Sequence, residues 1–142
     1  MKSNSLNLRK ILLATVTIST ALFFTSHADA QDKPKGKPWP APAAAIAKKN
    51  PVSGAEAMKE GKSLYMQHCK SCHGSKGQGD APKAAKLDIS SGDFTTAEFA
   101  KISEGELYWK TTEGRKPMPA FKGKLSDNER WSIISFIKTM SK

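Results

Sequence analysis

Apolar positions in this chain return at helical spacing, and the pattern is clearest at the two ends of residues 54–142. From Gly54 onward, Ala57, Leu64, Tyr65 and His68 fall close to one face while lysines and glutamates take the other. The last run is broader: Trp131, Ile133, Ile134, Phe136, Ile137 and Met140 form one stripe. It opens on Ser126-Asp127-Asn128-Glu129, a capping box in which serine and glutamate satisfy each other's free backbone donors. Lys138 and Lys142 stand at its C-terminal, negative end. Between the two lie a short helix over 96–103, capped by Thr96 with Phe99 and Ile102 inward, and a second over 104–113 with Leu107 and Tyr108 apolar. Residues 87–94 read as loop, with two apolar side chains reaching the core. Gly61 costs ~1 kcal/mol inside a helix, so it needs a packing reason. It stands four before Tyr65, hence on the same face, and its bare Cα lets another helix cross closely. The stripe of the last helix is wide enough to be that partner.

The first helix runs into Cys69-Lys70-Ser71-Cys72-His73, the Cys-x-x-Cys-His string of c-type haem attachment. Two thiols three positions apart lie about one helical turn from each other, so both can add to the vinyl groups of one porphyrin. The next residue, His73, is then held beneath the iron as proximal ligand. Three other chemistries use the same pair. A thioredoxin-like redox pair needs a βαβ context that the surrounding pattern lacks. A zinc site needs four ligands, and the other histidines are only His27 and His68. A structural disulfide across so small a loop would constrain the unfolded chain little.

Two stretches outside the helices extend the candidate site. After His73 the chain is glycine-rich (Gly74, Gly77, Gly79) and reaches Pro82. Such a segment passes close to a flat cofactor, and the Pro82 carbonyl is a candidate acceptor for the second ring N–H of His73. Its plainer role is a turn. Farther on, Lys116-Pro117-Met118-Pro119-Ala120-Phe121 cannot be helical, because prolines flank Met118 on both sides. A thioether held on so stiff a backbone suits a weak, soft ligand to iron. Met58, Met66 and Met140 sit on helices, where methionine is usually core filler. Trp109 has two roles open to it, an indole N–H aimed at a haem propionate or a core ring.

Residues 1–30 carry the marks of a signal peptide. Lys2, Arg9 and Lys10 precede an uncharged, largely apolar run over 11–24, and Ala28-Asp29-Ala30 is a cleavage signature, placing the cut before Gln31. Fourteen helical residues span only ~21 Å of a ~30 Å hydrocarbon core. A retained leader would make a membrane tether; a cleaved one leaves no stable membrane insertion. Residues 31–53, with Pro34, Pro38, Pro40, Pro42, an alanine run and Trp39 as the single aromatic residue, read as a Pro/Ala/Lys-rich flexible tether. The leader holds a net +2 of the formal +10, so the remainder keeps +8. A basic surface suits nucleic acid, an anionic membrane or an acidic protein, and an exported haem protein has little occasion to meet nucleic acid.

The spacing Gly61-x-x-x-Tyr65-x-x-x-Cys69-x-x-Cys72-His73-Gly74-x-x-Gly77-x-Gly79-Asp80-x-Pro82, then Met118-Pro119-Ala120-Phe121, then the helix from Ser126 to Met140, resembles the bacterial class I c-type cytochromes over residues 54–142. Many relatives carry glycine where Ala81 stands. The resemblance implies a small all-α fold with crossing N- and C-terminal helices around one covalent haem c. It also implies attachment through Cys69 and Cys72, His73 and Met118 as axial ligands, and one-electron transfer in the periplasm. Redox proteins with acidic docking patches would be the partners, met by the lysines around the motif and the Met118 loop. Other classes stay in view: a haem enzyme or gas-binding cytochrome with an open sixth iron position, and a tethered cytochrome subunit of a larger oxidoreductase. Met118 discriminates, since a ligating thioether closes the iron.

Overall fold

Helices α2 (Ala55–His68) and α6 (Asp127–Lys138) cross face to face, and Gly61 is the crossing point. A Cβ on Gly61 would sit 1.9 Å from the Ser132 carbonyl oxygen and 2.5 Å from its carbon, both backbone atoms that cannot swing aside. Tyr65, one turn on, is completely buried; its hydroxyl donates to the Gly74 carbonyl at 2.6 Å and its ring meets Phe136 edge-on at 5.5 Å. Ile133 and Ile134 close the other side at 2% and 0% exposure, worth ~1.5–3 kcal/mol each. Gly61→Ala should therefore destabilise the holoprotein by ~2 kcal/mol or more, despite alanine's better helix propensity. Denaturant unfolding measures it, and an unchanged midpoint would show that the helices do not meet there.

This computed structural model of the chain describes residues 33–141; the expected leader and Lys142 lie outside them. Among the described residues there are helices and isolated bridges only: α1 (Ala43–Ile46), α2, α3 (Lys70–His73), a 3₁₀ turn (Ala84–Lys86), α4 (Ala97–Ala100), α5 (Glu104–Glu113) and α6. No helix among them is long and apolar enough to cross a membrane. The Ser126–Glu129 and Thr96 caps match the sequence pattern: Ser126 and Glu129 form the reciprocal box, and Thr96 accepts from the Phe99 N–H. The structure adds Ser103, which accepts from the Glu106 N–H to start α5. α4 is only one turn long, shorter than the 96–103 pattern suggests. The stripe of α6 also contains a buried cation. Arg130, 5% exposed, donates to the Leu125 carbonyl and the Tyr108 hydroxyl and pairs with Asp127, tying the 121–125 loop to α5 and α6.

Within the stretch read as a tether over 31–53, the described residues 33–53 make contacts with the domain. α1 packs end-on against α5, where a Cβ on Gly105 would meet the Ala45 carbonyl at 2.1 Å, and Ser103 donates to the Ile46 carbonyl. Asn50 bridges to Ser135 at 2.8 Å on α6. Ahead of α1, Arg115 donates to the Lys37 carbonyl at 2.8 Å and Trp39 packs on Trp109 with ring centroids 5.7 Å apart. Proline density stiffens a backbone into an extended form, and an already extended segment loses less entropy when it docks.

Candidate functional site

A cavity of about 490 Å³ opens where α2 ends, and the haem motif forms one wall. His68 and Cys69 come from the end of α2, Cys72 and His73 from α3. α3 is held by Cys72 and His73 N–H bonds to the Cys69 carbonyl, and it ends at Gly74, whose φ of +80° lets the chain turn sharply. The Gly79 N–H then donates to the His73 carbonyl, folding the glycine-rich loop back under the histidine. Leu87, Ile89, Ser90, Ser91 and Gly92 supply a second wall. The Met118 loop supplies the third, through Pro117, Met118, Pro119 and Phe121. Met118 is fixed by its N–H bond to the Arg115 carbonyl at 2.8 Å and packs on the core; the Lys116–Pro117 peptide is cis.

Burial sets the electrostatics of the motif. It pushes the His73 pKa down to about 4, against a smaller opposing effect of the Ser91 backbone, so the imidazole is neutral at physiological pH, the form that ligates a metal. Its Nδ1 is buried with no hydrogen-bond partner, which singles this atom out, since buried polar groups are nearly always paired. The ring stacks on Phe94 at 4.6 Å. Burial, with the Cys72 sulfur adding to it, pushes the Cys69 thiol up to about 12. Cys69 and Cys72 are free thiols, and among the described residues no group of three or more His, Cys, Asp or Glu could hold a metal ion around them. Two thiols, a buried neutral imidazole with an orphaned nitrogen, and a thioether in one largely apolar cavity form the donor set that a thioether-linked haem uses.

The structure brings Cys69, Cys72, His73 and Met118 to this cavity and leaves two expected residues outside its lining. Pro82 lines a separate shallow cleft with Lys70, Ser71 and Gly74. Trp109 is outside the lining and packs on Trp39, which is part of it. Sequence reasoning missed Ser91, Ile89, Phe94, His68 and the Lys33–Trp39 contribution. The glycine at 92, with φ +80°, was the one local signal that 87–94 turns toward something.

A helical fold with crossing termini and a Cys-x-x-Cys-His wall defines a class I c-type cytochrome domain. The chain belongs to the family described as cytochrome C oxidase, cbb3-type, subunit III, whose model matches residues 56–137. Among solved structures it is similar to the KustC0563 c-type cytochrome, at 31% identity and a TM-score of 0.52 over 58% of this chain and 98% of that one. It is also similar to a chain of the Kuenenia stuttgartiensis reducing HAO-like protein complex Kustc0457/Kustc0458, at 29% identity and a TM-score of 0.59. That match covers 75% of this chain and about half (52%) of the other. No curated protein matches the chain. A c-type cytochrome domain implies covalently bound haem c and haem-based electron transfer.

Proposed function

We propose that this chain is an exported monohaem electron carrier in which Cys69 and Cys72 hold the haem, His73 is the proximal ligand and Met118 closes the sixth position. The observation that carries the reading is the meeting of Met118 with the Cys69–His73 stretch in one cavity, from a loop far along the chain. The haem, when bound, supplies a one-electron iron couple; the protein's residues hold it, keep it largely out of water and leave no place for a substrate. Export rests on the leader pattern alone, and the basic remainder of the chain suits acidic redox partners. The alternative of membership in a larger oxidoreductase is favoured by the likeness to a chain of a multi-protein redox complex. Carbon monoxide separates carrier from open-site haem protein. The reduced parent should bind it slowly or not at all at neutral pH, and rapid binding would make the enzyme or sensor reading the better one.

Partner choice has its own test. Lys116 and Lys122 are exposed beside the Met118 loop. The rate of electron transfer with an acidic redox protein should fall as ionic strength rises from ~0.01 to ~0.15 M, over which the screening length shrinks from ~30 to ~8 Å. Charge reversal at Lys116 and Lys122 should flatten that dependence, while reversal at Lys59 and Lys62 on the exposed side of α2 should not. A salt-independent rate would leave the charge without a steering role.

A further inference from the structure

Residues 33–41 cross the rim of the cavity, and Lys33, Lys35, Gly36 and Trp39 form part of its lining. The crossing is pinned at both ends. At one end Lys33 donates its ammonium to the carbonyls of Ala84 (3.0 Å), Ala85 (2.7 Å) and Leu87, capping the exposed acceptors of the 3₁₀ turn, while the Ser90 N–H donates to the Pro34 carbonyl at 3.2 Å. At the other end Arg115, from the Met118 loop, donates to the Lys37 carbonyl and lays its guanidinium 4.7 Å from the Trp39 ring centroid. Trp39 in turn leans on Trp109. In the middle the chain lies so close that a Cβ on Gly36 would stand 3.2 Å from Ile89 and 3.4 Å from Arg115. A loosely solvated linker makes no such set of contacts.

The pins also gather charge. Lys33, Lys35 and Arg115 all line the cavity on this side, against Asp93 as the lining's acidic residue, whose carboxylate accepts from the Thr95 N–H and hydroxyl. Lys33 is spent on three carbonyls and Arg115 turns its Nη1 to the Lys37 and Pro38 carbonyls, which leaves Lys35 and the rest of the Arg115 guanidinium as the cations beside an otherwise mostly apolar space. An occupant that suits this rim is flat and apolar with carboxylates at one edge.

We propose that residues 33–41 are a strap belonging to the cofactor site. They close the cavity over the carboxylate-bearing edge of the porphyrin, set Lys35 and Arg115 toward those carboxylates, and keep water from the iron. The inference rests on the haem reading above and adds what this segment does to it. Excluding water and placing cations nearby both disfavour the more positive ferric state, so the strap raises the reduction potential. Trp39 is a positioning residue here, acting through the packing that keeps the strap down.

The test uses the mature holoprotein and its Trp39→Ala and Arg115→Gln variants, with two readouts. Both variants should keep covalent haem on a denaturing gel and show a lower reduction potential than the parent. Trypsin should cut the Lys35–Gly36 bond at least about tenfold faster in the variants, because opening of the pinned segment controls cleavage. A potential unchanged in both variants, or a parent cut at Lys35 as fast as an unstructured peptide of the same sequence, would overturn the strap while leaving the carrier reading intact. Absence of haem from the parent would remove the carrier reading itself.

Discussion

Replacing both attachment residues, Cys69→Ser/Cys72→Ser, should abolish covalent haem and leave a chain without a cooperative unfolding transition at 25 °C. Residues 54–142 alone are small for an unaided core. The cavity that the motif lines is about 490 Å³. At ~24 cal/mol per Å³ of cavity, emptying a space of this size has an upper bound on the order of 10 kcal/mol. That is comparable with the whole ~5–15 kcal/mol stability of a domain, although water entry and partial collapse at the mouth reduce it. The haem is on this account part of the core. Each single substitution should lower the yield of holoprotein and weaken the domain. Haem staining after denaturing electrophoresis, with thermal unfolding by circular dichroism, reads both effects. A double variant that still carried haem through the gel would remove the attachment chemistry from these residues.

The second large effect belongs to Met118. Met118→Ala should open the sixth position, lower the reduction potential and let the reduced protein bind carbon monoxide rapidly. The sign follows from the ligand, since methionine sulfur raises haem potentials. The fold should survive, because Met118 is only partly buried and its loop is anchored elsewhere, by the Phe121 and Lys122 N–H bonds to the Thr111 and Thr112 carbonyls of α5. A variant that unfolded would keep its thioether-linked haem and its absorption, so intact far-ultraviolet dichroism is part of the measurement. A parent and variant with the same potential and the same carbon monoxide kinetics would mean that the thioether does not reach the iron.

What the sequence made legible was local chemistry with a strict geometric requirement. The Ser126–Glu129 box, the Thr96 start and the Gly61–Tyr65 crossing each depend on residues a turn apart, and the structure contains them all. The Cys-x-x-Cys-His pattern is of the same kind. What stayed hidden was where extended segments lie. Proline density in 31–53 announces a stiff backbone, but the surface that receives it is built from Ala84–Leu87, Ile89, Trp109 and Arg115, far along the chain. Pro82 is a similar case: proline after a glycine-rich loop reads as the histidine's neighbour, and in the structure it lines a separate shallow cleft with Lys70, Ser71 and Gly74. Arg130 was hidden differently. The stripe read from the sequence does not include it, and the fold buries it and shows that the Leu125 carbonyl and Tyr108 hydroxyl make that burial tolerable.

The central claim is that one haem is held between His73 and Met118 in the cavity above α3. The visible spectrum of the oxidised, exported protein tests it most directly. A low-spin ferric haem with the weak far-red band of methionine sulfur on iron, lost in Met118→Ala, is the predicted result. A high-spin spectrum lacking that band in the parent would contradict it.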